Sequence, residues 1–206
     1  MQDNRVGIID YSISNITSVQ NAFSILCDNV EIVRNPNKLK DFSHLVLPGV
    51  GSFAKGISNI RSLGFYEPIR EIAKQGRPIL GICLGMQILA CYGDEFGPSE
   101  GLGFIPGRVS LMKFGASKFR LPHIGWNDVS IKKESLLLSK DDDNSSFYFV
   151  HSYGYSDNEA EYVTATTDYS IPQVAIVERE NLFGVQFHPE KSQKNGFKVL
   201  KNFLSI

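Results

Sequence analysis

Of the three cysteines in the chain, Cys83 sits in a frame that suits a nucleophile. In Pro78-Ile-Leu-Gly-Ile-Cys-Leu-Gly-Met-Gln87 it follows an apolar run and precedes a helical start, with Gly81 and Gly85 two residues to either side. A strand that turns sharply into a helix crowds its own backbone, so small residues must flank the apex, whose side chain is lifted above the sheet edge. Ligands of open α/β sheets bind at that edge. The thiolate is the reactive form of cysteine, and the positive end of a helix favours it. The Leu84 amide, first in the helix, would face a developing oxyanion. Cys27 and Cys91 lie in helical segments without this frame and read as packing residues.

A nucleophilic thiol needs a proton acceptor, and the acceptor needs a third group to orient it. Among the four histidines, His188 follows an apolar run in Gly184-Val-Gln-Phe-His-Pro-Glu190. In extended chain, His188 and Glu190 project to one side, so the carboxylate can hold one ring nitrogen while the other faces the thiol. Pro189 suits a strand end. Spacing alone does not bring His188 to Cys83; only the fold can. His44 begins a buried run and reads as structural. His123 and His151 read as site-lining residues, without a carboxylate spaced to orient either as a base. No His/Cys/Asp/Glu group has metal-ligand spacing, so neither a metal nor another cofactor is expected.

The third segment is Leu47-Pro-Gly-Val-Gly-Ser-Phe53. Glycines after a strand admit a ligand close to the backbone, but the dinucleotide fingerprint fails because Ala54 stands where its third glycine belongs. A second oxyanion donor fits better, with the Val50 amide first, opposite Leu84.

Positioning these residues requires a sheet. Val6–Ile9, Val30–Val33, His44–Leu47 and Pro78–Ile82 read as short buried strands, and Asn15–Leu26 as a helix. Phe53–Gln75 reads as one or two helices interrupted at Gly64 and Pro68, and Met86–Cys91 as a further helix. Strand alternating with helix means βαβ units and a parallel sheet. Gly93–Gly107 reads as a surface loop. Strands follow at Val109–Met112, Phe147–Val150, Tyr162–Thr166, Val174–Val177 and Leu182–Phe187, with a closing helix over Phe197–Phe203. Lys132-Lys133-Glu134 and Asp141-Asp142-Asp143 read as solvated turns. The expected fold is α/β: a mainly parallel central sheet flanked by helices and extended by antiparallel strands, in one domain over residues 1–206.

Composition supports a globular chain, since 42% of the 206 residues are hydrophobic and 21% charged, outside the disordered range. A net charge of -1 gives no basic face for nucleic acid or an acidic membrane. Sparse cysteines without paired spacing point to a reducing cytoplasm. The first residues lack the pattern of a signal peptide, and no apolar run reaches the roughly 18 residues of a membrane span.

Together, Gly81-Ile-Cys-Leu-Gly-Met-Gln87, Phe187-His-Pro-Glu190 and Pro48-Gly-Val-Gly-Ser-Phe53 resemble the class I (triad) glutamine amidotransferases, in order and separation, over essentially the whole chain. Finer marks resemble the glutaminase subunits of imidazole glycerol phosphate synthases: Ile9-Asp-Tyr-Ser-Ile-Ser-Asn-Ile16, Pro122-His-Ile-Gly-Trp-Asn127, Tyr148-Phe-Val-His-Ser-Tyr153 and His188-Pro-Glu-Lys-Ser192. The resemblance implies a flavodoxin-like α/β fold. It also implies that Cys83 attacks the side-chain amide of glutamine, and that His188, held by Glu190, shuttles protons while ammonia leaves and a glutamyl thioester is hydrolysed. Val50 and Leu84 match the oxyanion donors. Gly49, Gly51, Gln87, Ser152 and Tyr153 match positions that hold glutamine. Asn15, Trp126, Asn127, Tyr148 and Lys191 match a face that meets a (β/α)8 synthase. That partner takes up the ammonia and makes imidazole glycerol phosphate and an aminoimidazole carboxamide ribotide for histidine biosynthesis.

One departure is Ser12 and Ser14, where family members carry glycine. It leaves a paralogous reading open, in which the ammonia builds an amidine on a surface-polysaccharide sugar. Two further classes stand beside it: a free-standing cysteine peptidase or γ-glutamyl hydrolase, opposed by Gln87 and the Pro48–Gly51 loop, and a non-catalytic module, opposed by the presence of Cys83, His188 and Glu190.

Overall fold

The computed structural model describes residues 4–13, 15–114 and 120–206. Ser14 and the first three residues, on which part of the sequence reading fell, lie outside the described residues. Apolar runs without alternation become strands covered on both faces, as expected of parallel sheets. They are β1 (Arg5–Ile9), β3 (His44–Gly49) and β4 (Ile79–Cys83); β2 (Asn29–Val33), at the sheet edge, alternates exposed and covered residues, and α1 (Ile16–Ser24), α2 (Phe53–Ser62) and α3 (Tyr66–Lys74) join the four. After β4 come α4 (Leu84–Ile88), β5 (Ala90–Gly93), β6 (Ser99–Glu100) and β7 (Ile105–Leu111). The chain continues through β8 (His123–Ile131), β9 (Ser145–His151), β10 (Tyr153–Tyr155), β11 (Val163–Tyr169), β12 (Ile171–Arg179) and β13 (Leu182–Val185) to α5 (Gln193–Phe203).

Nine strands form the main sheet in the order β2-β1-β3-β4-β13-β12-β11-β8-β9, and β10-β7-β5-β6 form a smaller sheet. β2, β1, β3, β4 and β13 run parallel; β12, β11, β8 and β9 extend the sheet antiparallel. Alternate strand residues feed two cores. Ile9, Leu45, Leu47 and Ile79 pack with α2 and α3 residues such as Ile57, Ile60, Ile69 and Ile72 on one face. Val6, Ile8, Val46, Leu80 and Ile82 pack with Val19 and Phe23 of α1 and Val199, Leu200 and Phe203 of α5 on the other. The α/β architecture agrees with the sequence reading.

Several elements differ from that reading. The Met86–Cys91 helix stops at Ile88, and Cys91 lies in β5. The carbonyls of Ile88, Leu89 and Ala90 are taken by the amides of Leu102, Phe104, Ile105 and Gly103. A Cβ on Gly101 would lie 2.2 Å from the Ala90 oxygen, so this glycine lets the two segments meet. For the same reason Gly93–Gly107 is no mere surface loop: it holds β6, the start of β7 and fully buried Leu102 and Ile105. The 53–75 segment breaks at Gly64, whose φ is +77°, whereas Pro68 sits in the first turn of α3, where no intrahelical N–H is needed. Asp142 is buried instead of solvated, held by Lys198 and Ser139. Cys27 follows α1 and hydrogen-bonds the Asn4 carbonyl. The sequence reading places no strand at β8 or β10; in β8 a buried His123 takes an apolar inward position and Gly125 has φ +140°.

Candidate active site

β4 ends at Cys83, whose φ of 53° and ψ of -109° are sparsely populated for a side-chain-bearing residue and mark local strain. The flanking glycines have steric causes. A Cβ on Gly85 would stand 1.6 Å from the Leu47 carbonyl oxygen of β3, and one on Gly81 would stand 2.6 Å from the Met86 amide nitrogen. The turn therefore closes only with both glycines, and it sets the thiol at the carboxyl end of the parallel strands.

β13 runs parallel beside β4, pairing Leu182 with Ile79 and Val185 with Ile82. Gln186 and Cys83 thus leave adjacent strands side by side, and His188 follows two residues later, on the same side as Gln186. This register joins residues far apart in sequence. The His188 amide donates to the Tyr148 carbonyl at 2.9 Å, and Ser192 Oγ donates to the His188 carbonyl at 2.6 Å. His188 Nδ1 lies 2.8 Å from Glu190 Oε1, with both side chains buried. Within hydrogen-bond geometry the opposite nitrogen, Nε2, has no partner. Burial pushes the imidazole pKa down, but Cys83 first and Glu190 second outweigh it and lift it to about 10. These neighbours favour the imidazolium over the neutral ring. His188 and Glu190 are joined by a hydrogen bond, and Cys83 stands close enough to raise the imidazole pKa.

The thiol borders a cavity of about 480 Å³. Among its lining residues are the expected Gly51, Leu84, Gln87, Ser152 and Tyr153, together with His151. Gly51, at φ +101°, faces open space. Gly49 does not line the cavity: it is packed where a Cβ would lie 2.1 Å from Tyr11 Oη and 3.0 Å from Leu84 Cβ, so closeness of packing, not ligand approach, requires this glycine. Tyr11 Oη is itself buried without a hydrogen-bond partner. Val50 also differs from expectation. Its N–H, read as the second oxyanion donor, is given to the Ile13 carbonyl at 2.9 Å, because the loop after β1 lies alongside the turn after β3. Leu84, as the first residue of α4, has no intrahelical acceptor for its amide.

Sequence reasoning missed three residues here. Gln186 is fully buried and its Nε2 points to Cys83 Sγ at 3.7 Å. Its signal is the period-two row Gln186, His188, Glu190. Gln87 Nε2 spends both hydrogens inside the protein, on the Tyr153 carbonyl at 2.7 Å and Gln186 Oε1 at 3.0 Å. Glu95 brings a carboxylate to the cavity and is itself held by the Phe53 amide at 2.9 Å; Phe96 beside it is exposed at the mouth. Neither has a sequence signal, because the 93–107 segment reads as loop.

On the outer strands, Trp126 and Tyr148 stand opposite each other in the β8–β9 register, edge to face at 6.1 Å, with Lys191 Nζ 5.8 Å from the Tyr148 ring. Trp126 is 48% exposed, and Ile124 on the same strand is exposed too. Asn127 is half-buried beside it, and exposed Asn15 precedes α1, which packs on the 189–191 turn. Ser12 takes the left-handed region at φ 67°, which glycine adopts freely, and an Asp10 Oδ1 bond to its amide at 3.1 Å holds it there. Among the described residues, no group of three His, Cys, Asp or Glu side chains is placed to hold a metal. No helix among them is long and apolar enough to cross a membrane.

Residues 7–206 match the family model for class-I glutamine amidotransferases. The chain is 42% identical over 206 residues to the imidazole glycerol phosphate synthase subunit HisH of Pelagibacter ubique (strain HTCC1062), covering 98% of this chain and 99% of the relative. It is 43% identical over 203 residues to subunit HisH 1 of Campylobacter jejuni (strain RM1221), covering 98% and 100%. Among solved structures it superposes on PurLQS from Thermotoga maritima with a TM-score of 0.78, at 22% identity and 99% coverage of both chains. A glutamine amidotransferase crystal structure gives 0.75, at 20% identity and 97% coverage of both. Both structural likenesses speak to the fold.

Proposed function

The chain belongs to the class I glutamine amidotransferase family, and from that premise we propose that it is the glutaminase subunit of an imidazole glycerol phosphate synthase, with residues 1–206 forming one amidotransferase domain. The observation that carries this reading is Cys83 at a strained strand–helix turn, over a cavity of about 480 Å³ and beside the His188–Glu190 pair. The relatives' shared subunit name favours this route over amidine formation on a sugar.

Chemistry follows from the geometry. Cys83, as the thiolate paired with the His188 imidazolium, attacks the side-chain amide carbon of glutamine, forming the C–S bond while the carbonyl electrons move to oxygen. Leu84 N–H takes that oxyanion. His188, protonated at rest, gives its Nε2 proton to the departing nitrogen, and ammonia leaves as the thioester forms. The same imidazole then takes a proton from water, whose oxygen attacks the thioester; the C–S bond breaks, the thiolate returns beside the imidazolium, and glutamate leaves after its new carboxyl group gives its proton to solvent. Glu190 keeps the ring oriented. Gly51, Gln87, Ser152 and Tyr153 hold the glutamine, and Glu95 matches its ammonium in charge. The oxyanion hole gains its second donor only when the Val50 amide leaves Ile13, so the chain as folded is a poor catalyst alone.

Ammonia released into water is protonated and no longer nucleophilic, so efficient use requires a docked acceptor. Asn15, Trp126, Asn127, Tyr148 and Lys191 form the docking face for a (β/α)8 synthase subunit in a cytoplasmic heterodimer. The deciding experiment is Cys83→Ala assayed with that subunit. Glutamine-dependent synthesis is lost, and synthesis from ammonium salts persists; undiminished glutamine hydrolysis in the variant defeats the reading.

A further inference from the structure

His151 and His123 have no step in the chemistry above, yet both are buried and joined in one hydrogen-bonded row. His151 Nδ1 lies 2.9 Å from the Tyr153 carbonyl, and His151 Nε2 lies 3.2 Å from His123 Nδ1. His123 Nε2 lies 3.3 Å from Asn127 Nδ2, which also donates to the Asp168 carbonyl at 2.8 Å. The ends of the row fix its polarity. A carbonyl only accepts, so His151 carries its proton on Nδ1. In the neutral ring Nε2 then accepts, which places the His123 proton on its Nδ1. His123 Nε2 is left as an acceptor, and the Asn127 amide donates to it. Every member is satisfied, and none is charged.

The inner end of the row is part of the pocket. The Tyr153 carbonyl accepts from Gln87 as well as His151; Gln87 continues to Gln186, and Gln186 to the Cys83 sulfur. The row thus spans from β8, on the outer face, to the nucleophile. Burial pushes the His123 pKa down to about 4. Burial, with His123 and His188 nearby, brings His151 to about 3 despite the Tyr153 carbonyl, which raises it. We infer that His123 and His151 are positioning residues: a neutral, directionally ordered imidazole pair that fixes the Tyr153 carbonyl, and with it Gln87, from an anchor at Asn127. The inference rests on the glutaminase reading for its substrate and deepens it, adding His151 at the cavity wall and His123 behind it.

Side-chain nitrogen-15 spectra of the full chain at neutral pH test the order directly. Both histidines are expected in the Nδ1–H form; a Nε2–H or doubly protonated signal from either overturns the inference. His123→Phe keeps an aromatic ring stacked on Phe149 and Tyr169 but removes the donor. Glutamine affinity, measured by calorimetry in a Cys83→Ala background, is expected to fall about tenfold. Asn127→Asp replaces the outer donor by an acceptor at a half-buried site, and serves if the first variant does not fold. It is expected to move the His123 proton to Nε2 and to weaken glutamine binding similarly. Wild-type affinity in the folded variants sinks the inference alone. A wild-type chain that takes up no glutamine sinks the glutaminase reading, while the spectra still judge the order of the pair.

Discussion

His188 is buried, yet its neighbours favour the protonated ring, and that balance is measurable. Its imidazole starts at 6.5 in the unfolded chain and stands at about 10 in the fold, with Cys83 and then Glu190 overcoming burial. A group whose pKa is raised on folding stabilises the native state fully below its unfolded value, and that contribution drains away as pH rises through the folded value. Urea midpoints are therefore expected to fall between pH 7 and pH 10. The decline should be shallower in Glu190→Gln, which keeps the thiol but removes one of the groups holding the proton. Equal slopes in the two proteins would refute this account of the pair. At this scale the sequence is informative wherever chemistry restricts residue type: a cysteine framed by glycines, a histidine two residues before a glutamate. It is mute where a common side chain acquires its meaning from neighbours. Glu95 carries no signal and Gln186 only its place in the row with His188 and Glu190, because a glutamate in a glycine-rich stretch and a glutamine in an apolar run become site residues only when the 94–98 turn and β13 are set beside Cys83. Val50 shows the converse, since residue type cannot say that an amide is already committed to Ile13.

The elbow is an element-scale device, and its tolerance follows from contact geometry. Gly85→Ala drives a methyl to within 1.6 Å of the Leu47 oxygen, a backbone atom of a central strand that cannot rotate away. The cost is expected at or above the top of the overpacking range, about 3 kcal/mol, read from denaturant midpoints. Gly76→Ala makes the control, because its φ is +78° with nothing within 4 Å of the added carbon. Only the left-handed backbone penalty applies there, about 1–2 kcal/mol. Equal losses at the two positions would show that the turn accommodates a side chain after all. Elements were legible where one physical rule dominates. β1, β3 and β4 are continuous apolar runs buried on both faces, and the alternation of helix and strand forces the parallel sheet. The rule fails after Ile88, where backbone pairing with residues 101–105 outcompetes a sequence that could have stayed helical. It fails again in β8, whose inward positions include a histidine held by other polar groups.

At the scale of the whole molecule, the base and the outer face are mechanically connected. His188 hangs from Tyr148 through its amide, Ser192 bridges the His188 carbonyl and the Tyr148 amide, and Tyr148 lies under Lys191 and against Trp126. A protein seated on Trp126 and Tyr148 therefore presses on the strand that holds the imidazole, while one that also reaches Asn15 bears on the loop whose Ile13 carbonyl detains the Val50 amide. On the docking proposed above, binding and activation would be a single event, which would keep glutamine from being spent without an acceptor. Within the proposed docking face the half-exposed Trp126 is the anchor to test, since interface energy concentrates in such side chains and truncating one costs about 2 kcal/mol or more. Trp126→Ala is thus expected to weaken binding of the synthase subunit at least about thirtyfold, given about 1.4 kcal/mol for each factor of ten. The isolated variant should alkylate at Cys83 at the wild-type rate, because Trp126 does not line the cavity. Titration of the subunit against glutamine hydrolysis separates the two quantities. A variant that binds as tightly as the wild type removes Trp126 from the interface, and one whose thiol reacts differently in isolation places it in the site instead.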